Sequence, residues 1–245
     1  LAAERAKSDS SKKKFSDEAE KYAAQISLVE QSMSMLEDEK VSGPDNVRCF
    51  ESSYEVSLSA AQNDAYSAVK SAFSEHLPVL LNGVTGSGKT EIYVKLALET
   101  MRQGKNVLYM IPEIAVSRQL EERLRRIFGA YLFTFHSKVT AAKREEVASE
   151  IRSGNYIVLG TRSSIFLPHH DLGLIIVDEE HDTSYKQDAP APRYNGRDTA
   201  LMLARIDGAE IILGTATPSL ESLYNCRIGR MKKVDLPERY YGASD

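Results

Sequence analysis

The sequence predicts a doubly wound α/β domain on a mostly parallel sheet, and three observations predict it. Six short runs, LPVLLNG, KNVLYMIP, AYLFTFH, YIVLGT, LGLIIVDE and AEIILGTA, are continuously apolar and rich in β-branched residues, as strands buried on both faces should be. Helix-compatible stretches separate them: Thr90 to Met101, Val116 to Phe128, Ala141 to Ile151 and Arg197 to Ile206. The composition, 42% hydrophobic and 27% charged over 245 residues, suits a buried core and not a disordered or fibrous chain. Strand and helix patterns alternate from about Ser57 onward, which places residues 51–245 in one sheet-centred domain.

Residues 1–50 read differently. The first fifteen are rich in Lys and Ser, carry almost no large apolar groups, and are expected to stay mobile. From Ser16, an N-cap followed by Asp17 and Glu18, the apolar residues Ala19, Tyr22, Ala23, Ile26, Val29, Met33 and Leu36 recur at steps of three and four. Ser42-Gly43-Pro44 stops the pattern, so an amphipathic helix and linker are expected, with a short coiled-coil arm as the alternative.

Charge and cysteine content narrow the function classes. Lys plus Arg number 31 against 35 Asp plus Glu, a net charge of −4, so any polyanionic partner must use a local groove. Cys49 and Cys226 form no CxxC pair or disulfide framework, and two cysteines are too few for a structural zinc site. No apolar run reaches the roughly eighteen residues of a membrane span, and the start has no signal-peptide core, which points to a cytoplasmic protein with no membrane partner. A chain opening at Leu1 and closing on GASD is expected to come from a longer one.

The strongest motif is Gly83-Val84-Thr85-Gly86-Ser87-Gly88-Lys89-Thr90, which satisfies GxxxxGK[ST] between an apolar strand and a helix. Such a loop curls its backbone N–H groups around phosphates, which is why it needs glycines. Lys89 would reach the β- and γ-phosphates, Thr90 would offer its hydroxyl to Mg²⁺, and the helix would add its dipole at the anion. ATP and Mg²⁺ are therefore the expected cofactors. In LGLIIVDEEH a buried strand ends in two acids: Asp178, suited to hold Mg²⁺ through water, and Glu179, suited to polarise an attacking water. Lys89, Asp178 and Glu179 form the expected catalytic set.

The order of Walker loop, Asp178-Glu179-Glu180-His181 and Gly214-Thr215-Ala216-Thr217-Pro218 resembles the first RecA-like lobe of superfamily 2 helicases. That resemblance implies a coupling role for His181, Thr215 and Thr217 between nucleotide and nucleic acid. The segments PEIAVSRQLEERL, FHSKVTAAKREE, GTRSSIFLP, DEEHDTSYKQ and RYNGRD are closer still to the primosomal replication-restart helicases, over about residues 55 to 240. By resemblance, the chain belongs to a 3′ to 5′ DNA helicase that acts with other restart proteins at abandoned replication forks in the bacterial nucleoid. The same resemblance places zinc-binding cysteines, a fork-recognition domain and an arginine-bearing second lobe outside these residues, so weak activity is expected of them in isolation. Another superfamily 2 translocase, or a nucleotide-switched binding module, is the alternative.

Between Asp182 and Asp198, Tyr185, Lys186, Arg193, Tyr194 and Arg197 interleave aromatic and cationic groups. This is the composition of a surface that stacks single-stranded DNA and contacts its phosphates. It is equally that of a surface loop whose tyrosines pack on the sheet edge. Gln62, about twenty residues before the loop, matches a glutamine that in related helicases reads adenine, or else is an ordinary helix residue. Arg118, Thr161 and Arg162 follow strands where similar segments touch the DNA backbone, with a cap or salt bridge as the other role for Arg162.

Overall fold

The computed structural model describes residues 50–113, 118–136, 139–189, 191 and 193–236. The mobile start and amphipathic helix expected before residue 50 lie outside the described residues. In chain order the elements are α1 (Ala60–Ser74), β1 (Val79–Gly83), α2 (Lys89–Arg102), β2 (Asn106–Met110), α3 (Arg118–Phe128), β3 (Leu132–Phe135) and α4 (Ala141–Glu150). They continue with β4 (Ile157–Gly160), β5 (Leu172–Val177), α5 (Gly196–Asp207), β6 (Glu210–Thr215), α6 (Leu220–Arg227) and β7 (Lys232–Leu236). The strands form one sheet in the order β3-β4-β2-β5-β6-β1-β7, parallel at every pairing.

All six runs read as strands are strands with buried residues on both faces, although Phe133 and Thr134 of the edge strand β3 are only half-buried. Along β1 and β2, Val79, Leu81, Val107 and Tyr109 join the core that includes α1, α2 and α3. The alternate residues Leu80, Leu108 and Met110 join the core on the opposite face, which includes Val147 of α4 and Ala200 and Ala204 of α5. A helix layer on each face follows from that period of two. Burying each large aliphatic side chain stabilises the fold by about 1.5–3 kcal/mol.

Two elements escaped the apolar-run reading. In β7 only Val234 and Leu236 are buried, so this edge strand lacks a continuous apolar run. The N-terminus of α1 is set by a reciprocal capping box: Ser59 Oγ accepts from Gln62 N, and Gln62 Oε1 accepts from Ser59 N at 2.8 Å. That S-x-x-Q signature was present in the sequence.

Candidate nucleotide site and the segment beside it

Strand order brings the motifs together. β6 lies between β1 and β5, pairing Asn82 with Thr215 on one side and Val177 with Leu213 on the other. The phosphate loop, the Thr215 segment and the acidic turn therefore leave adjacent strands at the same carboxyl edge, where open parallel sheets bind ligands.

In the loop, Val84, Thr85 and Gly86 face solvent while Ser87 and Lys89 are buried. Lys89 Nζ donates to Gly83 O at 2.8 Å and lies 3.7 Å from Glu179 Oε1. Gly88, at φ +82°, is the N-cap of α2, and a Cβ there would run into the Gln62 amide. Only glycine meets both constraints. Ser87 Oγ is buried without a hydrogen-bond partner.

Gln62 needs a correction. It does sit against the loop, donating through Nε2 to Gly88 O at 3.2 Å, but its other amide atom closes the α1 capping box. Buried and engaged at both ends, the amide is not presented to a base in this conformation.

The acidic turn is held from several sides. Tyr93, one turn beyond Thr90 on α2, donates to Asp178 Oδ1 at 3.2 Å. A Cβ at Gly214 would collide with the Tyr93 hydroxyl, so the glycine beside Thr215 gives this tyrosine its room. Burial, reinforced by the neighbouring Glu179 carboxylate, pushes Asp178 up to about 6 against the pull of Lys89. Glu179 has φ +47°, a left-handed conformation that non-glycine residues rarely adopt. His181 Nδ1 is 2.7 Å from Thr215 Oγ1, which also accepts from Thr217 N at 3.1 Å. Thr215 thus bridges the two segments, whereas Thr217 joins this contact through its backbone N–H.

The segment after the acidic turn is where the sequence reading is most revised. Tyr185 is 1% exposed and donates to Asp178 O at 2.7 Å. It is a core residue and cannot stack a base. Arg197 is likewise buried, paired with Glu180 at 3.1 Å and with Asp198 at 2.9 Å, so it is not free to contact phosphate. Arg162 donates to Ser184 O at 2.8 Å and Lys186 O at 3.1 Å, so it holds the segment after the acidic turn. Thr161 is buried, and its hydroxyl has no hydrogen-bond partner. Arg118 is exposed at the start of α3 and pairs with Glu122 at 3.2 Å. Lys186 and Arg193 remain exposed, and half-buried Tyr194 meets the ring of Phe166 edge-on at 4.9 Å.

A family model described as DEAD/DEAH box helicase matches residues 59–226. The chain belongs to that family. Among helicase relatives, it is 47% identical over 164 residues to the replication restart protein PriA of Rickettsia prowazekii, covering 66% of this chain and 25% of that one. It is 44% identical over 166 residues to PriA of Helicobacter pylori, covering 67% and 26%. It is 40% identical over 185 residues to PriA of a Synechocystis strain, covering 75% and 22%. The chain thus spans about a quarter of the length of these relatives, and the resemblance to replication-restart helicases holds over that part. RecG solved on a three-way DNA junction superposes with TM-score 0.54 at 18% identity, covering 79% of this chain and 25% of that one. The helicase domain of Pyrococcus furiosus Hef gives 0.52 at 19% identity, covering 72% and 37%. These likenesses bear on the fold alone, which is a RecA-like α/β fold.

The helicase site also fits the expected cofactor. A hydroxyl on Thr90 and a carboxylate on Asp178 make the sparse oxygen set that Mg²⁺ accepts, since it keeps several waters and shares the nucleotide's phosphates. Among the described residues no cluster of three or more His, Cys, Asp or Glu could hold a metal by itself, and no helix is long and apolar enough to cross a membrane. Two notable residues escaped the sequence reading. Glu180, third in the acidic box, has a fully buried side chain and pairs with Arg197, while Phe166 is 63% exposed beside Tyr194. Glu180 stands inside the acidic box, but the box assigns it no role of its own, and Phe166 belongs to no motif.

Proposed function

We propose that this chain is the ATP-binding lobe of an ATP-dependent 3′ to 5′ DNA helicase that helps restart stalled replication forks. The observation that carries the reading is the convergence of a buried lysine and two carboxylates on the phosphate loop, with Lys89 against Gly83 O and Glu179. Mg²⁺-bound ATP supplies a phosphoryl group whose transfer to water needs positioning and charge neutralisation more than covalent help. Lys89 would bind the β- and γ-phosphates, and Thr90 and Asp178 would hold the metal. Glu179 would polarise the attacking water, while the N-terminus of α2 adds favourable dipole at the anion. The unpartnered Ser87 hydroxyl gives the loop one more donor toward phosphate.

The DNA part of the proposal is supported by the replication-restart relatives and by the RecG neighbour solved on DNA. Lys186, Arg193 and Tyr194 remain its contact candidates, with His181 and Thr215 as the link to nucleotide. Superfamily 2 sites are completed by arginines from a second lobe, so these 245 residues in isolation are expected to bind Mg-nucleotide weakly and turn it over slowly. In the intact protein, Glu179→Gln should lower turnover about 10²-fold or more while fluorescent-nucleotide binding persists. Lys89→Ala should instead weaken binding. Parent-level hydrolysis by the Gln variant would remove Glu179 from the mechanism.

A further inference from the structure

Glu180 has no role in the chemistry described so far, yet it is the most enclosed member of the acidic turn. Its side chain is 0% exposed, and its backbone N–H donates to Gly214 O at 3.0 Å. Oε1 accepts from Ser219 N at 2.7 Å. Oε2 accepts from Arg197 Nη1 at 3.1 Å, Ser219 Oγ at 2.9 Å and Ser222 Oγ at 2.9 Å. Ser219 is the N-cap of α6, so the carboxylate also meets the positive end of that helix. One side chain thereby ties the end of β5, the segment after Thr215 and the first turn of α5.

The residue immediately before it is the strained one. Glu179 at φ +47° persists only if its neighbours over-determine the turn. On one side, Asp178 is fixed by its N–H to Met110 O at 2.9 Å and by the tyrosines Tyr93 and Tyr185. Glu180 is the corresponding anchor on the other. We infer that Glu180 is a positioning residue: its buried network with Arg197, Ser219 and Ser222 holds Glu179 toward Lys89 and sets that geometry by where α5 and α6 begin. Arg197 closes the segment from Asp182, so displacement of that segment reaches Glu179 through Glu180.

This inference rests on the hydrolytic role proposed for Glu179, and its test separates the two. In the intact protein, Glu180→Asp keeps the charge and the Arg197 partner but shortens the tether. Turnover at saturating nucleotide should fall at least tenfold per folded molecule, while the Kd for a fluorescent Mg-nucleotide stays within twofold and KM changes little. Ser222→Ala, a milder cut in the same network, should lower turnover about threefold with the same split, and it decides the matter if Glu180→Asp does not fold. A purely structural Glu180 would lower Tm and the folded fraction without changing turnover per folded molecule, and that result overturns the inference. A parent that hydrolyses nucleotide, loses the activity in Glu179→Gln and keeps it in both network variants overturns only this inference. A parent without turnover overturns the functional reading and this one with it.

Discussion

The two ends of the parallel sheet both carry buried polar side chains, but those side chains are partnered differently. At the amino ends of β2, β4 and β5, Asn106 donates to His170 O at 2.8 Å and accepts from Tyr156 N at 2.9 Å. Tyr156 Oη accepts from His170 N at 3.0 Å and lies 3.1 Å from His169 Nδ1, while His169 Nε2 lies 2.9 Å from Ser164 O. Apart from His170 Nε2, this cluster closes on itself. At the carboxyl ends, Ser87 Oγ lacks a partner, Lys89 rests on a loop carbonyl, and Asp178 is pushed up to about 6. Closed networks build the fold, and open ones leave capacity for a ligand. By this criterion Tyr185 lies at the chemical end of the sheet but belongs to the closed class.

Tyr185 offers the largest way to break that distinction. Removing a fully buried aromatic ring leaves a cavity, so Tyr185→Ala should cost about 3–5 kcal/mol of stability in urea or guanidinium unfolding. Tyr185→Phe loses only the bond to Asp178 O and should cost about 0.5–1.5 kcal/mol. An Ala variant of parental stability that lost only DNA-stimulated ATPase would return Tyr185 to the stacking surface and erase the contrast.

The same distinction explains what was legible in the sequence. The phosphate loop could be read residue by residue because its chemistry requires glycines and a lysine at fixed spacing, and Gly88 shows why, pinned between a positive φ and the Gln62 amide. The six buried strands were legible because burial on both faces imposes continuous apolar runs. Tyr185 and Arg197 were misread because an aromatic or an arginine serves burial as readily as binding. Composition does not say which, and that depends on Asp178 O and Glu180, which lie elsewhere in space. Phe166 was missed for the opposite reason, since the apolar run Ile165-Phe166-Leu167 after GTRSS gives no sign that its middle residue faces water while Ile165 is buried.

The closed cluster at the amino ends makes a pH prediction of intermediate size. Burial holds His169 down at about 4, from an ordinary 6.5, in spite of its contact with Ser164 O. Between those values the unfolded chain binds a proton that the folded chain refuses. Stability from this group is therefore fully present above about pH 6.5 and is lost as pH falls toward 4, by no more than about 3 kcal/mol. Asp178 titrates in the same window with the opposite sign, so the raw profile mixes the two. The readout is the difference between the parent and His169→Gln, whose unfolding free energy should fall less steeply from pH 6.5 to 4. Parallel profiles would show that His169 takes up its proton without opposing the fold.

Phe166 sharpens the comparison from the open side, with the smallest effect. Its ring is 63% exposed and meets Tyr194 edge-on, with centroids 4.9 Å apart and planes at 81°. Arg193, next to Tyr194, is exposed as well. An exposed aromatic surface beside a cation has the makings of a base-stacking step in the proposed DNA path, and stacking on one ring is worth about 1–3 kcal/mol. Phe166→Ala should therefore weaken binding of a labelled single-stranded oligonucleotide by that amount in anisotropy titrations of the intact protein. Its unfolding free energy should stay within about 0.5 kcal/mol of the parent, because little of the ring is buried. Arg193→Ala should act through phosphate instead, reducing the salt dependence of binding by about one counterion while leaving stability equally unchanged. The contrast with Tyr185 then becomes quantitative: one aromatic whose loss is read in unfolding, another whose loss is read only in binding. A Phe166→Ala variant that binds DNA like the parent but unfolds more easily would place both rings in the same closed class and move the DNA path away from this part of the sheet edge.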